Sequence, residues 1–237
     1  MDVVKLIIDD IEVEAKSEET ILEAARSAEI YIPALCSHPD LPPSVGMKPN
    51  ESIFRGKSSF FTSDPDKQYE GCQLCLVAVE GEGIVRSCVT QVTEGMVVHT
   101  NTDECRELRQ RNLAKILANH PHACLICPQR EGCSLTSCSS NVPEKERCCS
   151  KFNNCELRKV AEYIGIPDYT PRYTFQNLPI ITDEPLFIRD YNLCIGCLRC
   201  VRICDAQGIG ALAFIYRDGE VSVGTVAPSL EESGCKF

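Results

Sequence analysis

The chain has 237 residues, 17 of them cysteine, and carries a formal net charge of −10 at pH 7. Disulfide scaffolds belong mainly to short secreted chains, and the start MDVVKLIIDD lacks the basic segment and apolar core of a signal peptide. No apolar run approaches the roughly 18 residues that cross a bilayer, and the acidic balance disfavours phosphate recognition, so we expect a cytoplasmic, metal-binding protein that neither inserts into membranes nor binds nucleic acid.

The first part of the chain predicts two short strands and a capped helix. Residues 3–16, VVKLIIDDIEVEAK, are rich in β-branched side chains, which favours strands. Thr20 and Glu23 have the spacing of a capping box, which predicts a helix that ends near Ala28. The first cysteine, Cys36, follows this helix after a short segment broken by a proline.

Residues 39–70 are rich in turn formers and charged residues, which predicts an inserted surface loop. The loop GCQLC at 71–75 then carries two thiols and leads into a predicted strand. Further strands are predicted for IVRSCVTQV at 84–92, which contains Cys88, and for GMVVHT at 95–100. Taken alone, a C-x2-C pair is also half of a zinc site. The whole order of hairpin, capped helix, cysteine, C-x2-C and late cysteine resembles that of β-grasp 2Fe–2S ferredoxins. This resemblance implies that four thiolates hold a 2Fe–2S cluster: Cys36, Cys72, Cys75 and Cys88.

A second group of ligand residues follows a predicted helix. Asn101 and Glu104 have capping-box spacing, and the helix is predicted from Thr102 to about Asn119. After it, HPHACLICPQREGC at 120–133 has the spacing H-x3-C-x2-C-x5-C. This pattern is similar to that of the large iron–sulfur subunit of respiratory complex I and the small diaphorase subunit of NAD-linked nickel–iron hydrogenases. It also resembles the N-terminal modules of iron-only hydrogenases and of some formate dehydrogenases.

The resemblance implies that one imidazole and three thiolates hold a 4Fe–4S cluster in the second group: His120, Cys124, Cys127 and Cys133. A neutral imidazole makes the cluster less negative than a fourth thiolate would, so this cluster is expected to be easier to reduce than a four-thiolate analogue. His122 is the rival ligand, and the family spacing favours His120.

A third group of cysteines departs from the family pattern. In the related proteins a segment like CELQ usually follows the third cysteine of the histidine motif at once, whereas here CELRKVAEYIGI begins at Cys155, about 22 residues after Cys133. In one interpretation an insertion has moved the third ligand to Cys155. In the other, which we favour, an additional 4Fe–4S cluster is held by the extra cysteines, with a zinc site or redox-active pair as the fallback: Cys138, Cys148, Cys149 and Cys155.

The fourth group is the run LCIGCLRCVRICDAQ, with the spacing C-x2-C-x2-C-x3-C that is typical of bacterial ferredoxins. Three of its thiolates are expected to grip one 4Fe–4S cluster: Cys194, Cys197 and Cys200. The last thiol of such a run, here Cys204, ligates the other cluster in two-cluster ferredoxins. Only Cys235 lies downstream, so either the polypeptide is longer and holds a further cluster, or Cys204 or Cys235 completes this one.

These patterns predict an α+β protein in three parts. Residues 1–100 would form a β-grasp 2Fe–2S ferredoxin-like domain with the loop 39–70 inserted, and residues 101–168 a His/Cys-rich, helical 4Fe–4S domain. Residues 169–237 would form a bacterial-ferredoxin-like 4Fe–4S domain, which we expect to be incomplete. The expected cofactors are one 2Fe–2S cluster and two 4Fe–4S clusters, with a third 4Fe–4S cluster if the extra cysteines hold one.

Several clusters in one chain, without a visible substrate or dinucleotide motif, predict a non-catalytic electron-relay subunit. The resemblance implies as partners a flavin- and NAD(P)H-binding subunit, a small 2Fe–2S subunit, and a hydrogenase, formate dehydrogenase or other reductase subunit. One alternative is the N-terminal electron-transfer module of a longer catalytic chain. A second alternative, a zinc-stabilised interaction scaffold, is disfavoured by the complete ferredoxin run.

Overall fold

Two β-sheets carry most of the strands in the computed structural model, which describes residues 2–44, 46–129, 133, 138–182, 184 and 187–235. The helices are α1 (Ile21–Ser27), α2 (Asp103–Ala118), α3 (Glu156–Ile164) and α4 (Arg199–Ala206). The strands are β1 (Val3–Ile8), β2 (Ile11–Lys16), β3 (Ser52–Arg55), β4 (Ser58–Phe61), β5 (Leu76–Val79), β6 (Gly83–Arg86), β7 (Val97–His99), β8 (Ile180–Ile181), β9 (Arg189–Asp190), β10 (Leu212–Arg217) and β11 (Glu220–Thr225).

The first sheet has five strands in the order β2-β1-β7-β5-β6. Strands β1 and β7 are parallel, and the other neighbouring strands pair antiparallel. Helix α1 begins after Thr20, whose side chain and that of Glu23 form the predicted capping box. Its apolar side packs against the sheet in a core that includes Ile8, Ile21 and Val77, each 0% exposed. Both local predictions for this region, the hairpin and the capped helix, are confirmed.

The segment predicted to be a surface loop contains a β-hairpin instead. Strands β3 and β4 pair antiparallel, and β3 pairs with β11, so that the second sheet has the order β10-β11-β3-β4. Ile53 is fully buried in this sheet's core. At Gly224 a Cβ atom would collide with the carbonyl oxygen of Phe54, so only glycine allows β11 to approach β3 this closely. The surface-loop prediction is therefore wrong for residues 52–61.

Helices α2 and α3 pack together and form the second core. The N-cap of α2 is Thr102, whose hydroxyl accepts from the backbone N–H of Cys105, one residue later than the predicted Asn101. Leucines of α2 and the apolar face of α3 are buried against each other. This core extends to Cys124 and Phe152, and it therefore supports the cysteine-rich segment between the two helices.

A third core lies between α4 and the β10–β11 hairpin, with Tyr69, Leu198 and Phe214 nearly fully buried. It joins the end of the predicted loop, Tyr69, to the start of α4, which carries part of the ferredoxin run. The α+β class is confirmed, and the first sheet is consistent with a 2Fe–2S ferredoxin-like domain. None of the helices that the structure describes is both long enough and apolar enough to span a membrane.

Candidate metal centres

The first thiol group comes together at one end of the five-stranded sheet. Cys36 lies in the loop after α1, Cys72 and Cys75 lie on the loop before β5, and Cys88 follows β6. Side-chain hydrogen bonds link Cys36 to Cys72 and Cys88, and Cys75 to Cys88. Cys36 and Cys75 are each only 1% exposed. The structure therefore brings together all four thiols that the sequence grouped.

Backbone groups support these sulfurs. The N–H of Leu35 donates to Sγ of Cys72, and the N–H of Cys72 donates to Sγ of Cys36, each over 3.4 Å. Gly71 has a φ of +80°, and a Cβ atom there would lie 3.3 Å from Sγ of Cys36. Amide-to-sulfur hydrogen bonds stabilise the negative charge of an iron–sulfur centre and tune its potential. Four converging thiols with amide donors fit a 2Fe–2S cluster.

The electrostatics of the first group involve a residue that the sequence patterns did not reveal. Hydrogen bonds from the neighbouring thiols Cys72 and Cys88 lower the pKa of the Cys36 thiol, and the charge of Arg202 acts in the same direction. Arg202 lies on α4 and donates to the backbone carbonyls of Cys36 and Pro42. The cysteine spacing of the ferredoxin run gave no signal for this arginine, because its role depends on a contact with a residue 166 positions away in the chain.

The second group is centred on His120, which is 8% exposed. Its Nδ1 lies 2.8 Å from the carbonyl oxygen of Pro121, and because a carbonyl only accepts, Nδ1 carries the proton and Nε2 keeps its lone pair. Burial lowers the pKa of His120 to about 4, so the imidazole is neutral at pH 7. A neutral ring with a free Nε2 and a backbone-anchored Nδ1 fits metal ligation. His122 is also buried, and its Nδ1 lies 3.0 Å from the carbonyl oxygen of His120.

The contacts of the thiols around His120 cross the boundary between the second and third groups of the sequence pattern. Cys124 is buried, and its Sγ accepts from the backbone N–H of Cys148 over 3.3 Å. The Cys148 thiol in turn lies 3.6 Å from the carbonyl oxygen of Pro121, the acceptor that it shares with His120. Burial raises the pKa of Cys148 to about 12, with the neighbouring Cys124 adding to the shift. Cys148, which the sequence pattern placed in the third group, is therefore close to Cys124 of the second group.

The remaining thiols of the central segment have separate local contacts. Sγ of Cys127 lies 3.5 Å from the hydroxyl of Ser140, and Cys133 is half-buried. Sγ of Cys138 accepts from the N–H of Val142 over 3.3 Å. Cys155 is the N-cap of α3, where its Sγ accepts from the N–H of Arg158, and Cys149 precedes a short 3-10 turn. How these thiols divide between two clusters stays a prediction.

The fourth group lies on the loop that enters α4. Gly196 and Leu198 both have positive φ angles, 66° and 54°, which turn the chain sharply between the cysteines. Burial raises the pKa of Cys197, and the thiols of Cys194 and Cys36 add to the shift. The first and fourth groups are therefore close enough for their thiols to affect each other's ionisation.

Cys204 and Cys235 form a separate apolar cluster with Ala211 and Leu230. Sγ of Cys204 accepts from the N–H of Ala211 over 3.1 Å, and Cys204 is 7% exposed. The Cys204 thiol therefore contacts the residue directly before β10, whereas Cys194 packs in the third core with Leu198. This separation matches the behaviour of the last cysteine in ferredoxin runs.

Tyr69 connects the first and fourth groups. Its hydroxyl donates to the carbonyl oxygen of Gly196 over 3.0 Å. Burial raises the pKa of its phenol, and the thiols of Cys36, Cys72 and Cys197 add to the shift. A cavity of about 770 Å³ opens beside it, with Cys72 and Cys194 both in its wall. The role of Tyr69 could not be seen in the sequence, where it falls within the predicted surface loop.

Among the described residues, no group of three or more His, Cys, Asp or Glu side chains is arranged to hold a single metal ion. An iron–sulfur cluster divides its protein ligands among two or four irons, so its thiols need not converge on one point.

Comparison with known proteins supports the assignment of the first group. Residues 50–103 match the family model of a 2Fe-2S iron-sulfur cluster binding domain. That range contains three of the four grouped thiols, Cys72, Cys75 and Cys88, and it begins after Cys36. It also includes the β3–β4 hairpin.

Curated relatives match nearly the whole chain. An NADH-quinone oxidoreductase subunit of Rhizobium meliloti (strain 1021) is 30% identical over 89% of this chain and 19% of its own length. The HndD subunit of the NADP-reducing hydrogenase of Solidesulfovibrio fructosivorans is 29% identical over 98% of this chain and 32% of its own length. Iron hydrogenase 1 of Clostridium pasteurianum is 24% identical, over 92% and 30%. The chain therefore spans a third or less of the length of these relatives.

The fold has a solved counterpart. A chain in the crystal structure of an NAD+-reducing [NiFe]-hydrogenase in the H2-reduced state superposes with a TM-score of 0.64 at 23% identity. The match covers 94% of this chain and 75% of that chain. The resemblance to complex I and hydrogenase iron–sulfur proteins, which the cysteine motifs predicted, is confirmed.

Proposed function

We propose that the chain is a multi-cluster iron–sulfur electron-relay module. It would connect a flavin- and NAD(P)H-linked partner to a redox catalytic partner such as a hydrogenase or formate dehydrogenase. The observation that carries the proposal is the 3.0 Å hydrogen bond from the hydroxyl of Tyr69, which precedes the C-x2-C loop of the first group, to the carbonyl oxygen of Gly196 in the ferredoxin run. When bound, iron–sulfur clusters supply single-electron transfer at potentials set by ligands, hydrogen bonds and burial.

Three ligand sets follow from the grouping. The first group holds a 2Fe–2S cluster, and its amide donors favour the negative cluster. His120 with its neighbouring thiols holds one 4Fe–4S cluster, and the ferredoxin run holds another through Cys194, Cys197 and Cys200. Burial keeps water from three of these ligands, Cys36, Cys75 and Cys124, and solvent exposure is one of the factors that set the reduction potential of a cluster.

The central segment supports two ligand assignments. The contact of Cys148 with Cys124 supports a His120 site that recruits a thiol from the inserted cysteines. The count of extra cysteines supports an additional 4Fe–4S cluster at Cys138, Cys148, Cys149 and Cys155. Cys204 and Cys235, which pack together, are assigned to a further 4Fe–4S site if a longer polypeptide supplies more thiolates.

The relatives suggest which partner subunits the chain would have. Their names describe NADH-quinone oxidoreductase and NADP-reducing hydrogenase subunits, so we propose a flavin-binding subunit, a small 2Fe–2S subunit and a hydrogenase-type reductase as partners. The second candidate is a module of a longer catalytic chain, because relatives such as iron hydrogenase 1 are about three times longer than the matched region. We place either form in the reducing cytoplasm of an anaerobic cell, with the three domains 1–100, 101–168 and 169–237.

Magnetic interaction between centres tests the proposal. After purification without oxygen and full reduction, the 2Fe–2S EPR signal is expected to relax faster than in an isolated 2Fe–2S protein, because a reduced 4Fe–4S centre lies nearby. The variant Cys200→Ser should remove the neighbour and restore slow relaxation. A 2Fe–2S signal with the same relaxation in both proteins would contradict a relay through these two groups. Measuring the mass of the natural polypeptide separates a subunit from a longer catalytic chain.

A further inference from the structure

Two arginines of α4 reach the loop that carries Cys36. Arg199 donates through Nη2 to the carbonyl oxygen of Ser37 over 2.8 Å. Arg202, one helical turn later, donates through Nη1 to the carbonyl oxygen of Pro42 over 2.7 Å and through Nη2 to that of Cys36. Both guanidinium groups are therefore fixed next to the first thiol group by backbone carbonyls.

The two arginines differ in how their charge is balanced. Arg199 forms two hydrogen bonds to the carboxylate of Glu156, at 2.6 and 2.8 Å, which neutralise it. Arg202 is 3% exposed, and among the described residues its side-chain acceptors are the two carbonyls alone. The Nε atoms of both arginines lack a partner, so the difference between them is the carboxylate of Glu156. A buried charge without a counter-charge is strongly unfavourable, so the site requires negative charge near Arg202.

We propose that Arg202 is the buried counter-charge of the first thiol group and raises the reduction potential of the centre that this group holds. This inference rests on the proposed function, because it assumes that Cys36, Cys72, Cys75 and Cys88 hold a cluster. Four thiolates supply the negative charge that the guanidinium lacks. A fixed positive charge favours the reduced, more negative state, and a guanidinium already held by two carbonyls has little reorganisation to undergo when that charge changes.

The test is an EPR-monitored redox titration of the 2Fe–2S signal in the anaerobic holoprotein, with iron content measured on each sample. In Arg202→Gln the ratio of reduced to oxidised centre at the wild-type midpoint should fall about tenfold, a shift of about 59 mV to more negative potential for a one-electron couple. Arg202→Lys keeps the charge and should stay near the wild-type midpoint. Arg199→Gln is the matched control, and it should shift the midpoint less because Glu156 already balances Arg199.

The outcomes separate this inference from the proposed function. An iron-free wild type would refute the proposed function itself. A loaded Arg202→Gln protein with the wild-type midpoint would overturn the inference, and so would an equal shift in Arg199→Gln. If Arg202→Gln loses the cluster, Arg202→Lys decides: retention of the cluster supports a role of the charge, and its loss overturns it.

Discussion

The hydroxyl of Tyr69 donates a hydrogen bond of 3.0 Å to the backbone carbonyl oxygen of Gly196. The two residues are far apart in the chain, and each lies next to a different group of cysteines. Gly196 has a positive φ within the ferredoxin run, and Tyr69 precedes the C-x2-C loop of the first group. This single bond therefore helps to fix one proposed centre relative to the other.

Replacing Tyr69 with phenylalanine should weaken this junction. Tyr69→Phe leaves the Gly196 carbonyl without its partner, and such a loss costs about 1 to 3 kcal/mol in a buried setting. The visible absorbance of the clusters is expected to disappear at a lower urea concentration than in the wild type. Tyr169→Phe is the control, because Tyr169 is 64% exposed. Equal urea midpoints for the two variants would argue against a structural role of the bond.

Two buried cysteines provide a matched test of the first group. Cys75 is 1% exposed and belongs to the group, whereas Cys105 is 0% exposed and lies on α2 outside every ligand pattern. Cys75→Ser should abolish the 2Fe–2S EPR signal and leave the 4Fe–4S signals. Cys105→Ser should keep all signals, because its thiol serves only to fill space. A 2Fe–2S signal that survives in Cys75→Ser would show that the ligands are grouped wrongly.

The imidazole of His120 should set the potential of its cluster. His120→Cys replaces a neutral ligand with a thiolate, which adds negative charge, so the midpoint of that 4Fe–4S centre is expected to become more negative. His122→Asn retains an amide donor near the position of Nδ1 and should leave the midpoint unchanged. Redox titration followed by EPR measures both. The reverse pattern, with His122→Asn shifting the midpoint and His120→Cys leaving it, would make His122 the ligand.

Two cysteines of α4 should behave differently although they are one turn apart. Cys200→Ser is expected to remove the cluster of the ferredoxin run, since Cys200 is grouped with Cys194 and Cys197. Cys204→Ser should retain it, because Sγ of Cys204 accepts from Ala211 and packs with Cys235 instead. Iron content and the 4Fe–4S EPR signals of the two variants decide this. Loss of the same signal in both would make Cys204 the fourth ligand of that cluster.

Local signals in the sequence predicted much of the fold. The capping box at Thr20 and Glu23, the hairpin before it and the helix α2 each depend on residues that are neighbours in the chain. The grouping of the four thiols came from the resemblance to β-grasp 2Fe–2S ferredoxins, and their role as cluster ligands stays a prediction. The predictions of the hairpin and the capped helices succeeded because helix caps and tight turns are specified by short-range contacts.

The features that were missed depend on contacts across long sequence separations. The pairing of β3 with β11 joins Phe54 to Thr225, and turn-forming residues around β3 concealed a buried strand. The contact of Cys148 with Cys124 and the reach of Arg202 to Cys36 arise from packing between helices and loops. No periodicity in a single sequence encodes such pairings, so neither Tyr69 nor Arg202 could be assigned beforehand.

The iron and acid-labile sulfide content of the protein, purified and kept without oxygen, tests the central claim most directly. One 2Fe–2S and two 4Fe–4S centres predict about ten iron atoms per chain, and an additional cluster at the inserted cysteines predicts about fourteen. A colourless, folded preparation that contains no iron would contradict the account.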